Sequence, residues 1–146
     1  MKYLKIVFPV LILVLISISC NRTDENKHAF SSEDAIIRIS KIEIDSAHIH
    51  EYISILREEA AASVEKEPGV IAIFPLFQED DSTEIRILEI YADQEAYEAH
   101  LETSHFKHYK TSTQEMVKSL NLVDMKAIDE NTMPEIFEKI GRKGNR

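Results

Sequence analysis

The residues best suited to chemistry lie close together. Tyr97, His100, His105, His108 and Tyr109 fall within one short stretch. Histidine changes charge near neutral pH, so it is the natural proton acceptor for a reaction run there. His105, His108 and Tyr109 are spaced i, i+3, i+4 and can share a helix face. His100 stands three residues after Tyr97, at the end of a short predicted helix. Phe74, Phe77, Tyr91 and Phe106 can wall an aromatic pocket. A base, a phenol and apolar walls suit the removal of a proton from a small apolar molecule. Each residue also has a plainer use. His100 can cap a helix junction, His105 can tie two helices together, His108 can stand in solvent, and the aromatics can be core. Metal chemistry finds little support. His48 and His50 point to alternate sides of a helix start, His100 and His105 straddle a helix break, and no carboxylate sits at a telling offset. The expectation is therefore no metal.

The elements that must position these residues follow from periodicity. Residues 35–44 (AIIRISKIEI) are rich in isoleucine and partly alternating, as a strand requires. Asp45 or Ser46 can cap the helix that follows. Ile49, Tyr52, Ile53, Leu56, Ala60 and Val64 recur at helical spacing until Pro68-Gly69 ends the run. Residues 70–77 (VIAIFPLF) are continuously apolar, which predicts a strand buried on both faces, although Pro75 points to an edge or a bulge. An acidic turn leads into residues 84–91 (EIRILEIY), the partner strand of a hairpin. Asp93 caps a short helix to about Leu101, and Thr103 or Ser104 restarts a helix to about Leu120. Residues 121–128 form the last strand. The order β-α-β-β-α-β is the ferredoxin-like split arrangement, an α+β fold with an antiparallel sheet. Thr132-Met133-Pro134-Glu135 reads as a capping box, and Met133, Ile136, Phe137 and Ile140 form an amphipathic stripe on a C-terminal helix ahead of a basic tail. In this fold the helices cover one sheet face. The doubly apolar strand at 70–77 needs a cover on the other, which predicts a homodimer packed sheet to sheet, with the C-terminal helix as the competing cover.

Composition limits the partners. The chain has 146 residues, 44% hydrophobic and 29% charged, an ordinary globular mix. Its net charge is −9, and the two lysines near the N-terminus leave the remainder more acidic still, so nucleic acid is a poor partner. Cys20 is the only cysteine, which excludes a disulfide scaffold and a thiolate zinc site. Lys2 and Lys5, the apolar run Ile6–Ile16 and the small residues before Cys20 form an export-signal pattern over residues 1–19, too short for a transmembrane span. A cysteine directly after those small residues resembles a bacterial lipobox, which implies lipid on Cys20 and a membrane-anchored domain at the cell envelope, outside the cytoplasm. Residues 20–34 read as a polar tether, residues 35–128 as the folded domain, and residues 129–146 as a helical extension and basic tail.

Two segments carry a resemblance to a known family. One is Glu67-Pro68-Gly69-Val70 ahead of a strand. The other is Glu89-Ile90-Tyr91-Ala92-Asp93 followed by Ala99-His100-Leu101-Glu102-Thr103-Ser104-His105-Phe106-Lys107-His108-Tyr109. Over roughly Ile36 to Ile128 the chain resembles the antibiotic biosynthesis monooxygenase (ABM) family, and within it the quinol-monooxygenase-like proteins. The resemblance implies a dimeric α/β barrel of ferredoxin-like subunits, each with a pocket between sheet and helices. It implies a cofactor-independent monooxygenase acting on a small aromatic substrate, with His100, His105 and Tyr109 as the catalytic set. The chain has no tryptophan. Lys110 and His100 fall about where haem-degrading relatives carry a haem-binding histidine and a tryptophan, which argues against haem. Other relatives isomerise a phosphorylated signalling sugar with a histidine in the same context. An isomerase or other proton-transfer enzyme, and a non-catalytic ligand-binding lipoprotein, therefore stand as alternatives.

Overall fold

The computed structural model describes residues 33–129 and 131–143. The leader, Cys20 and nearly all of the tether lie outside the described residues. Four strands and four α-helices follow one another among the described residues: β1 (Ile36–Ile44), α1 (Ile49–Lys66), β2 (Val70–Phe77), β3 (Glu84–Tyr91), α2 (Gln94–Glu102), α3 (Ser104–Thr113), β4 (Val117–Met125) and α4 (Thr132–Lys143). The strands form one sheet in the order β2-β3-β1-β4, every pair antiparallel. This is the expected α+β, ferredoxin-like architecture. No helix among the described residues is long and apolar enough to cross a membrane.

The core lies between the sheet and α1. Ile42 and Ile44 of β1 and Ile85 and Ile87 of β3 point toward Tyr52, Leu56 and Ala60 of α1, all buried. Their alternation along the strands fixes the register, because a slip of one residue would turn every isoleucine outward. The outward side is also apolar. Phe74 pairs with Leu88, Leu88 with Ile39, and Ile39 with Val123, giving an apolar rung across all four strands.

Three expectations change. The strand at 70–77 is not buried on both faces. It is the edge strand, with Phe74 and Phe77 each 57% exposed, and Pro75 fits there because an edge position asks less of its missing N–H. The helix expected to reach Leu120 stops at Thr113, and β4 runs over Val117–Met125 rather than 121–128. The nine-residue β1 decides this: its backbone from Ile37 to Ile44 is paired by β4, and Asp45 N–H donates to the Met116 carbonyl (2.9 Å). Satisfying that row of peptide groups outweighs the modest helical preference of the segment. At α4, the Asp129 carboxylate accepts from Asn131 N–H (3.0 Å) and from the Thr132 hydroxyl, so it takes over part of the capping expected of Thr132.

Candidate active site

α1 to α3 pack over the β1–β3 part of the sheet and leave the inner side of β4 bare, so that Leu120 and Leu122 are exposed. A cavity of about 240 Å³ opens there. Ile42, Ile73 and Ile87 form its floor, and Leu101, Phe106 and Leu122 its apolar sides. Glu59, Glu89, Tyr91, His100 and Tyr109 bring polar groups into it, with Arg38, Tyr97 and Lys110 alongside.

Local sequence places the histidines. Asp93 caps α2 by accepting from Ala96 N–H (2.8 Å). Thr103 sits between α2 and α3 with an extended backbone (φ −67°, ψ 152°). Its hydroxyl donates to the His100 carbonyl (2.8 Å) and accepts from Phe106 N–H (3.3 Å). One side chain thus ends α2 and starts α3, and the bend brings His100 and His105 to a common partner. That partner is Glu67, the residue that closes α1. Gly69 allows the approach: a Cβ there would stand 2.4 Å from Cβ of Ala96 on α2.

The Glu67 carboxylate accepts from His100 Nδ1 (3.0 Å to Oε1, 3.3 Å to Oε2) and from His105 Nε2 (2.5 Å). Burial alone would raise the Glu67 pKa, but the hydrogen bonds from His105 and His100 outweigh it and hold it below the usual carboxylate range. An ionised carboxylate only accepts, so His100 donates to it from Nδ1–H, which leaves Nε2 as the ring atom free to exchange a proton. His100 is 2% exposed, with its ring centre 4.7 Å from Phe106 and 5.3 Å from Tyr91. Its Nε2 lies 3.7 Å from Oε1 of Glu59. It has no hydrogen-bond partner among the described residues, where no side-chain polar atom is both buried and unpartnered. Nε2 must therefore open onto the cavity.

The phenols are set by burial. Tyr109 donates to or accepts from Tyr52 across 2.7 Å, and burial pushes its pKa up to about 12. Burial raises Tyr52 further, and burial beside Glu89 does the same for Tyr91. All three stay protonated at neutral pH, so each has one proton to donate. Arg38 Nε donates to Asp124 (2.8 Å) while its guanidinium lies 4.9 Å over the Tyr97 ring.

The structure brings His100, Tyr91, Phe106 and Tyr109 to one cavity. His105 reaches the same network through Glu67 without lining the cavity. Phe74 and Phe77 do not join them. Phe74 lies on the opposite sheet face, and Phe77 lines a separate groove of about 230 Å³ between α1 and the edge strand. Pocket walls were expected of both because their strand is apolar throughout, but alternation along an edge strand sends them elsewhere. His108 stays on the surface, its Nδ1 3.3 Å from the Ser112 hydroxyl. Glu67 and Glu89 enter the sequence reading only through the segments of resemblance, and Glu59 not at all. Glu59 sits at a helical position that faces inward beside Leu56 and Ala60, which is the signal that could have found it. Glu67, His100 and His105 each offer one donor atom within 4.8 Å of the others, a set a divalent metal could accept. In this structure they are joined as two hydrogen-bond donors and one acceptor.

Comparison with known proteins agrees with the architecture. A family model described as antibiotic biosynthesis monooxygenase matches residues 35–112. A candidate antibiotic biosynthesis monooxygenase from Bacteroides thetaiotaomicron VPI-5482 is 38% identical, with a TM-score of 0.68 over 69% of this chain and 96% of that one. A candidate monooxygenase from Lactobacillus acidophilus NCFM is 29% identical, with a TM-score of 0.61 over 64% of this chain and 44% of that one. A third structure, from Nitrosomonas europaea, shares the fold at 18% identity, with a TM-score of 0.62 over 66% of this chain and 93% of that one. A comparison with curated proteins found no match.

Proposed function

The chain belongs to the antibiotic biosynthesis monooxygenase family, and on that premise we propose that it is a cofactor-independent monooxygenase of a quinol-like or other electron-rich aromatic molecule. One observation carries the reading. Glu67 holds Nδ1–H of His100, so that in the neutral ring the lone pair sits on Nε2, facing an aromatic-walled cavity. Such a nitrogen can take a proton from a phenol, a quinol or an anthrone methylene. The resulting anion is electron-rich enough to pass an electron to O₂. Apolar walls exclude water from the intermediates, and the Tyr109 hydroxyl, with Tyr52 as donor to it, can turn its proton to developing negative charge.

The decisive experiment is oxygen uptake by the full-length protein with anthrone and with a simple hydroquinone. Uptake above the uncatalysed rate, lost in His100→Ala, supports the reading. Exchange of substrate hydrogen with solvent and no oxygen uptake would replace it with a proton-transfer enzyme or isomerase using the same base.

The finer features of the proposal concern location and assembly. Lipid on Cys20 would hold the domain at the cell envelope, and Cys20→Ala should then leave the membrane fraction or remain unprocessed. The apolar rung through Phe74, Leu88, Ile39 and Val123 suits sheet-to-sheet packing of two copies. A lipid-free protein starting near Asn21 should sediment as a dimer, and a monomer at micromolar concentration would count against this.

A further inference from the structure

We infer that Glu59 is the proton donor of the cavity, paired with His100 as acid to base and handing a proton to the peroxide formed on the substrate. The inference rests on the monooxygenase reading and goes beyond it, because that reading needs only a base.

Two carboxyl groups line the cavity, Glu59 buried and Glu89 half-buried, and their hydrogen bonds tell them apart. Glu89 accepts from the Ser40 hydroxyl on Oε1 and from the Tyr91 hydroxyl on Oε2 (3.0 Å), so both oxygens are held as acceptors. Glu59 accepts from the Ser63 hydroxyl on Oε1 (2.9 Å), a contact Ser63 shares with the Glu59 carbonyl (3.0 Å). Glu59 Oε2 has no hydrogen-bond partner among the described residues, where every buried side-chain polar atom has one, so it opens onto the cavity as His100 Nε2 does. Glu59 is 5% exposed. Burial raises its pKa; Ser63, His100 and His105 pull the other way, and Glu89 adds to the rise. A carboxyl group with one free oxygen, in a place that disfavours its charge, is built to carry a proton.

The chemistry needs such a group at a definite step. With anthrone as substrate, His100 Nε2 removes one methylene proton. The carbanion gives an electron to O₂, and the radical pair closes a carbon–oxygen bond, leaving a peroxide anion. Glu59 protonates it to the hydroperoxide. The Glu59 carboxylate then takes the second hydrogen from the same carbon. The carbonyl forms as the oxygen–oxygen bond breaks, and the departing hydroxide takes the proton held by His100. One anthrone and one O₂ give one anthraquinone and one water, and both residues return to their starting states.

The test uses full-length protein and anthrone, following oxygen, anthraquinone and hydrogen peroxide together. Glu59→Gln keeps the shape and the Ser63 contact but carries no acidic proton. Oxygen uptake should continue, while anthraquinone formation falls by about 10²–10⁴-fold. The missing product should appear as substrate hydroperoxide or hydrogen peroxide. Glu59→Asp should recover part of the anthraquinone yield. A Glu59→Gln protein with one anthraquinone per O₂ overturns the inference, whether its rate is unchanged or uniformly reduced. If Glu59→Gln does not fold, Glu59→Asp carries the same test, and an unchanged ratio overturns the inference. A wild type that takes up no oxygen overturns the monooxygenase reading itself, whereas an active wild type with an unaffected variant removes Glu59 alone.

Discussion

Two cavities among the described residues have nearly equal volume, about 240 Å³ beside β4 and about 230 Å³ beside the edge strand β2. Both are walled by the same sheet and the same helix α1. The first holds His100, Glu59, Glu89 and the Tyr91 and Tyr109 hydroxyls, tied by hydrogen bonds to one another and to Glu67, Ser63 and Tyr52 outside its wall. The second is lined by Ile53, Leu56, Ala60, Pro75, Leu76, Phe77 and Ile85, with Arg57 as its single charge. Space is therefore not what separates a reactive site from a surface groove in this fold. The difference comes from the far end of α1, where Glu67 meets two histidines delivered by the bend at Thr103.

The sharpest way to break this contrast is to remove the base. His100→Ala should lower turnover by about 10²–10⁴-fold. Sequence alone suggests little effect on folding. The buried ring, packed on Tyr91 and Phe106 and bonded to Glu67, predicts a loss of about 1–3 kcal/mol as well. Denaturant unfolding beside oxygen uptake separates the two. Unchanged turnover in a folded variant would leave the two cavities functionally alike.

Glu67→Gln comes next. An amide can donate, so it no longer enforces Nδ1–H on His100, and turnover should fall toward the lower end of the same range, about 10²-fold. Wild-type kinetics in that variant would show that Glu67 only ties helices together. Gly69→Ala probes how that junction is assembled. The new methyl meets Ala96 at 2.4 Å, and the resulting overpacking should cost about 1–3 kcal/mol, read as a lower melting temperature.

The acid response of stability distinguishes Glu59 of α1 from Glu67 at its C-terminal cap. Glu67 has a lowered folded pKa, so its contribution is present above the ordinary glutamate pKa and is lost as pH falls through the folded value. Glu67→Gln should flatten stability in the acid range below about pH 4.3. Glu59 has a raised pKa, so stability falls as pH climbs from the ordinary glutamate value to the raised one, and Glu59→Gln should remove that fall instead. Melting temperatures across pH check both signs, and equal slopes in the two variants would contradict the assignment.

The smallest effect belongs to the second groove. Phe77→Ala, at a half-exposed edge position, should leave turnover unchanged within about twofold and stability within about 0.5 kcal/mol. A large loss of turnover would return Phe77 to the site from which the structure removes it.

Much of the fold was legible because it depends on local pattern. β2 and β3 fall where the apolar runs and the turn between them place them, and Asp93 and Thr103 cap α2 and α3 as their types suggest. The start of β4 was not legible, since residues 114–120 carry no breaker and only pairing with β1 selects a strand. Within the site, His100, Tyr91, Phe106 and Tyr109 could be picked out by residue type alone. Glu67 could not, because acidic residues at a helix end are usually solvated and nothing local distinguishes it from Glu65; for Glu59 the only signal is its place on the inward face beside Leu56 and Ala60.

The sequence by itself determined the element order, the sheet's inward isoleucines, the helix break at Thr103 and the family. These follow from spacing and capping, which act over a few residues. Tertiary structure decided which acids meet which histidines, across separations of 33 and 38 positions for Glu67. It also decided which of two similar cavities received the polar groups. Those outcomes depend on how α1 lies across the sheet and on Gly69 letting α2 come close, and packing of that kind leaves no periodic trace in the chain.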